Sequence, residues 1–154
     1  MSGKKPKPPR VERADFAGST VVLFDGICGM CNATVQFLLK RDRRGALGYA
    51  SLQSDVAHEV LARHGRDASD LDTVYVVTGF DTEGEQVFAR SSAVLRMVAA
   101  LGGVYRAIML LRIVPGFVRD FFYDRIANNR YRMFGKREAC MVPSPEHRAR
   151  FLAV

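Results

Sequence analysis

The stretch that most constrains the fold is Thr20–Phe24 (TVVLF), a continuous apolar run rich in β-branched residues and followed directly by the turn pair Asp25-Gly26. A run of this kind, with no polar alternation, reads as a strand covered on both faces. Covering both faces takes helices, so the α/β class is expected. From about Cys28 to Arg43 the spacing predicts a helix with Val35, Leu38 and Leu39 on its apolar face and Gly45 as its stop. With 154 residues, 48% of them hydrophobic and 25% charged, one globular domain is the natural expectation. A domain this long buries roughly 68–70% of the surface of its unfolded chain, so it folds without disulfide staples.

Further along, Gly48–Leu52 is a second expected strand. Ser54 or Asp55 caps a second helix carrying Val56, Val60 and Leu61. Thr73–Thr78 (TVYVVT) is a third strand, and a turn over Asp81–Gly84 leads to a return strand, Gln86–Ala89, in an antiparallel hairpin. Ser91 or Ser92 caps a third helix, with Val94, Met97, Val98 and Leu101 at helical spacing. Helices are also expected over about Val104–Ile113 and Phe117–Phe134; the second carries Val118, Phe121, Phe122 and Ile126 as a core-seeking stripe. The order β-α-β-α-β-β-α, with a parallel first crossover and a later hairpin, is that of a thioredoxin-like core with a mixed sheet, followed by a C-terminal helical extension over about 104–135. Residues 1–17, rich in Lys, Pro and Arg, are expected to be a flexible basic tail, leaving 18–154 as the single domain with an irregular end from Lys136.

The chemistry concentrates in Cys28-Gly29-Met30-Cys31. Cys28 follows a buried strand and a turn and stands at the first turn of a helix, where unpaired N–H groups and the helix dipole stabilise a thiolate. A thiol in such a motif can have its pKa lowered to roughly 3.5–7.5, which is expected to make Cys28 the nucleophile toward disulfides at neutral pH. Cys31, three positions on, shares that helical face and resolves the mixed disulfide by thiol–disulfide exchange. Gly26 and Gly29 are candidate substrate-contact positions, Gly29 because it permits close approach of another chain. Asp25 either caps the helix and holds the turn or shuttles a proton to and from Cys31. The dithiol pair carries two electrons itself, so no cofactor is expected. Two alternatives stand beside this reading. One is a metal-binding or redox-sensor domain using the same pair, with Cys140 as a further ligand; a second CxxC is missing, the three histidines (His58, His64 and His147) are scattered, and His58 and His64 read as ordinary surface residues on a short helix. The other is a pair of cysteines packed as small hydrophobes.

Asp25 to Cys31 (DGICGMC) resembles the DxxCxxC signature of the DCC family of thiol–disulfide oxidoreductases. The resemblance continues in Phe37–Asp42 (FLLKRD), in Leu52–Ser54 (LQS), from Pro115 to Asp120, and in Tyr123–Gly135 (YDRIANNRYRMFG), then Cys140. It covers nearly all of the chain except the basic tail. It implies a thioredoxin-like oxidoreductase whose redox pair is Cys28 and Cys31. One departure matters. Thioredoxins face their pair with a cis-proline before the third core strand, whereas the stretch 69–73 has no proline here; the prolines are at 6, 8, 9, 115, 143 and 145. The usual way of holding an extended peptide is thereby put in question.

Arg119 and Arg130, eleven residues apart, fall on one helical face. With Asp120, Tyr123, Asn128 and Asn129 they form either a buried polar network that docks the helix or a site for an anionic substrate. Cys140 is either a third redox thiol or a simple tail residue. The formal net charge of +7 favours acidic partners only as a bias. The expected partners are a disulfide-containing protein or small-thiol substrate and an electron donor, with weak contact of the basic tail to anionic surfaces; no nucleic-acid motif is evident. No segment has the roughly 20 apolar residues that a membrane helix needs, and no apolar stretch follows the charged start, so a reducing cytoplasm is the expected compartment.

Overall fold

The computed structural model describes residues 13–26, 28–67, 73–134 and 148–153. Strands β1 (Thr20–Phe24), β2 (Leu47–Ser51), β3 (Tyr75–Thr78), β4 (Gln86–Ala89) and β5 (Phe151–Ala153) form a single sheet in the order β4-β3-β1-β2-β5. β1 pairs in parallel with β2, Val22 opposite Tyr49, and antiparallel with β3, Val22 opposite Val76. The hairpin places β4 antiparallel to β3. Helices α1 (Gly29–Arg41), α2 (Asp55–Arg63), α3 (Arg90–Ala99) and α4 (Gly116–Phe134) complete the thioredoxin-like arrangement and its helical extension.

The apolar run of β1 serves two cores at once. Val22 and Phe24 pack with Val35 and Leu38 of α1 and Ala93 and Met97 of α3. Val21 and Leu23 point the other way and pack with Ala57, Val60 and Leu61 of α2. Alternation of side chains along a strand explains why every residue from Val21 to Phe24 must be apolar. Each such burial contributes about 1.5–3 kcal/mol. Ser54 caps α2 as expected, its hydroxyl accepting from the Ala57 N–H at 3.3 Å.

Several expectations need correction. Phe16 falls in the stretch expected to lie outside the fold, yet Arg13–Phe16 form a 3-10 turn and Phe16 is buried among the α2-side core. Its ring lies over Gly48, where an added Cβ would come within 2.6 Å. The segment Gly103–Ile113 is 3-10 rather than α; Tyr105 packs against the edge of the core, but none of its residues is buried, so little packing selects α geometry. Ser91 and Ser92 do not cap α3. Ala89 stands at its N-cap without a side-chain bond, and Asp120 of α4 accepts from the Ser91 N–H and hydroxyl instead.

The stripe assigned to the core on α4 faces outward: Phe121, Phe122 and Ile126 are all exposed. The helix packs against α1 and α3 through the intervening face, where Ala127 is buried and Tyr123 and Asp120 make tertiary hydrogen bonds. β5 was not expected. Its Phe151 packs on Tyr49 and Phe24, and Arg150, just before it, pairs with the buried Asp42 and donates to the Leu47 carbonyl at 3.1 Å. Cys140 and His147 lie outside the described residues.

Candidate functional site

β1 ends at Phe24, and the Leu52 N–H donating to the Phe24 carbonyl at 2.8 Å extends its pairing with the β2 side by one step. Asp25 and Gly26 follow, both buried, and Cys28 then stands at the N-cap of α1 with extended backbone geometry. The junction is held from two sides. Asn32 donates its Nδ2 to the carbonyls of Gly26 at 3.0 Å and Cys28 at 2.9 Å, tying the turn to the helix. Gln53 donates its Nε2 to the Asp25 carboxylate at 2.9 Å, while its Oε1 accepts from the Ser51 hydroxyl and, at 3.4 Å, from the Gly26 N–H.

The two thiols are free and within hydrogen-bonding reach of one another. Their surroundings differ. Cys28 has no exposed surface, whereas Cys31 is half-buried and lines a cavity of about 90 Å³ together with Asp25, Met30, Thr73, Val74 and Tyr123. Burial pushes the Cys31 thiol up to about 12; the neighbouring Cys28 and the Asp25 carboxylate push in the same direction, partly offset by a hydrogen bond from the Asp25 backbone. Cys31 therefore stays protonated at neutral pH. The more accessible member of the pair is thus the one whose thiol is pushed up.

The sequence candidates separate into three groups. Asp25, Gly26, Cys28, Gly29 and Cys31 are gathered at the strand–turn–helix junction. Arg119 lies on α4, its Nε donating to the Val114 carbonyl at 3.2 Å, and lines a neighbouring groove rather than the cavity beside Cys31. Arg130 lies on the same helix, with its side chain outside the described residues. Among the described residues no three His, Cys, Asp or Glu side chains come together as a metal site. His64 instead pairs with Glu85 at 2.8 Å.

Asn32, Gln53 and Tyr123 are site residues that the motif does not announce. Tyr123 accepts the Val74 N–H at 2.9 Å, so α4 occupies the start of β3 beside the pair. This is the region in which thioredoxins carry their cis-proline; no described peptide bond is cis. A polar residue one turn beyond the first cysteine, and a glutamine in the LQS stretch just after a strand that neighbours β1, are the sequence signals for the first two.

The family model described as DCC1-like thiol-disulfide oxidoreductase matches residues 22–136. "Uncharacterized protein YuxK" of Bacillus subtilis is 40% identical over 132 residues, covering 86% of this chain and 93% of that protein. "DCC family protein At1g52590, chloroplastic" of Arabidopsis thaliana is 36% identical over 121 residues, covering 78% of this chain and 67% of that protein. No solved structure matches. No helix among the described residues is long and apolar enough to cross a membrane.

Proposed function

We propose that this chain, which belongs to the DCC1-like thiol-disulfide oxidoreductase family, exchanges electrons between thiols and disulfides through Cys28 and Cys31. The observation that carries the reading is the contact between two free thiols at the start of α1, one of them held protonated. Cys28, at the end of the helix that favours negative charge, is the attacking group. It forms a mixed disulfide with one substrate sulfur and expels the other as a thiolate. Cys31 then loses its proton and attacks the Cys28 sulfur, releasing the second substrate thiolate and closing the Cys28–Cys31 disulfide. Asp25 lines the cavity with Cys31, and in this reading it accepts that proton and returns it when the pair is reduced. Gln53 is a positioning residue that orients the carboxylate.

The burial of Cys28 adds a step: its sulfur must be uncovered before a disulfide reaches it. The substrate is a protein disulfide or a small disulfide, and a dithiol donor restores the pair. In a reducing cytoplasm the pair would rest as the dithiol. Turnover of a disulfide substrate with purified protein and a dithiol donor tests the assignment. Cys28→Ser is expected to abolish turnover, and Cys31→Ser to trap a mixed disulfide on Cys28. Turnover at the wild-type rate in both variants would remove the proposal; trapping on Cys31 in Cys28→Ser would reverse the roles.

A further inference from the structure

Three guanidinium groups line one small pocket away from the thiols. Arg96 of α3, Arg112 of the 3-10 segment and Arg119 of α4 surround about 130 Å³ together with Ser92, and among the described residues no carboxylate lines it. Two of these arginines are held in place. The Arg96 guanidinium lies over the Phe88 ring, 4.5 Å from its centroid, and Arg119 is fixed by its bond to Val114. The Arg119 Nη1 is buried and has no hydrogen-bond partner among the described residues. A buried charged donor without an acceptor is costly, and three like charges around one pocket add repulsion. Acids near this face are engaged elsewhere, Asp120 with Ser91 and Asp124 with Arg90 at 3.7 Å. A bound anion would supply the missing acceptor.

The pocket opens into a larger one. Leu95 and Arg119 line both it and an apolar groove of about 620 Å³, a volume typical of small-molecule sites. Leu111, Val118 and Phe122 line this groove, as do Met30, Val94 and Met97, which also line the cavity beside Cys31. We propose that the Arg96–Arg112–Arg119 pocket binds the phosphate head of an amphiphile whose apolar chain lies in the groove and points toward Cys31. A phosphate group, carrying about −1.5 to −2 charges and three acceptor oxygens, suits three guanidinium donors. A second copy of the chain suits them poorly, because it would set arginines against arginines.

Calorimetric titration of the full chain tests this. The probes are dihexanoyl phosphatidic acid kept below its micelle-forming concentration, inorganic phosphate and dihexanoylglycerol. One amphiphile is expected per chain, bound about tenfold or more tightly than inorganic phosphate, with no binding of the neutral diacylglycerol. Arg112→Gln and Arg96→Gln are each expected to weaken the amphiphile about tenfold; they avoid Arg119, whose loss also removes a bond to Val114. Leu111→Ser is expected to weaken the amphiphile while leaving phosphate binding unchanged. Equal affinity for phosphate and amphiphile would overturn the role of the groove. Equal affinity for the neutral diacylglycerol, or binding undiminished in both arginine variants, would overturn the role of the pocket. Binding to phosphatidic acid vesicles but not to the dispersed amphiphile would point to a membrane surface, and a dimer by sedimentation that binds no probe would point to a second copy; either outcome overturns the proposal. None of these readouts requires the thiols to turn over, so the result is independent of the redox assignment.

Discussion

Cys28 is fully buried and Cys31 half-buried, a difference that their sequence spacing does not encode. The raised thiol at Cys31 has a stability consequence whose sign is fixed by linkage. Its folded value of about 12 lies above the ordinary thiol value of 9.0, so the folded state keeps a proton that the unfolded chain has lost between those values. The contribution is complete below pH 9.0 and is lost as pH rises toward about 12. Urea unfolding of the reduced protein across that range should show falling stability, and the fall should be smaller in Cys31→Ser. An identical slope in both proteins would contradict the assignment. Asp25→Asn removes a charge that helps keep Cys31 protonated, so Cys31 alkylation should begin at lower pH, while turnover falls by about 10²-fold or more if Asp25 moves the proton. The pair and Asp25 are legible in the sequence because strand, turn and helix start are local signals. The burial of Cys28 is not, because other elements of the fold create it. Gln53 belongs to the same blind spot: it reaches Asp25 from 28 residues away, across the sheet.

At the scale of elements, α4 shows where periodicity misleads. Phe121, Phe122 and Ile126 are more apolar than Asp120 and Tyr123, yet the polar residues face the fold. Hydrogen bonds decide this: Asp120 satisfies the start of α3, and Tyr123 satisfies the backbone at β3. Pattern reading ranks residues by apolarity and cannot see backbone groups left unpaired on another element. Tyr123→Phe leaves the Val74 N–H without this acceptor and should cost about 1–3 kcal/mol. Asp120→Ala removes a tertiary cap and should cost about 0.5–2 kcal/mol. Chemical denaturation of both variants checks this, and wild-type stability in both would mean that α4 is docked by something other than these two bonds. β1, β3, β4 and α2 were legible because each carries a strong local pattern bounded by turn residues or a cap.

For the molecule as a whole, the sheet order follows from one strand buried on both faces and placed at its centre. The edges were harder to read. β5 is three residues long and owes its place to Phe151 and to the pairing of Arg150 with Asp42, whose carboxylate also accepts from the Ala46 and Leu47 N–H groups at 3.0 and 2.9 Å. Phe16 closes the opposite core over Gly48, so Gly48→Ala should force the ring aside and cost about 1–3 kcal/mol, relieved when Phe16 is also truncated to Ala. Thermal unfolding of the single and double variants measures that coupling, and strict additivity would contradict it. The central claim, that this fold exists to present a reversible dithiol, is tested most directly by redox titration of the full chain with mass-spectrometric location of the disulfide. The expected result is a single two-electron transition in which the Cys28–Cys31 disulfide forms and is fully reduced again. Persistence of both free thiols at every poise that oxidises a reference dithiol, or pairing of either cysteine only with sulfur from elsewhere, would contradict it.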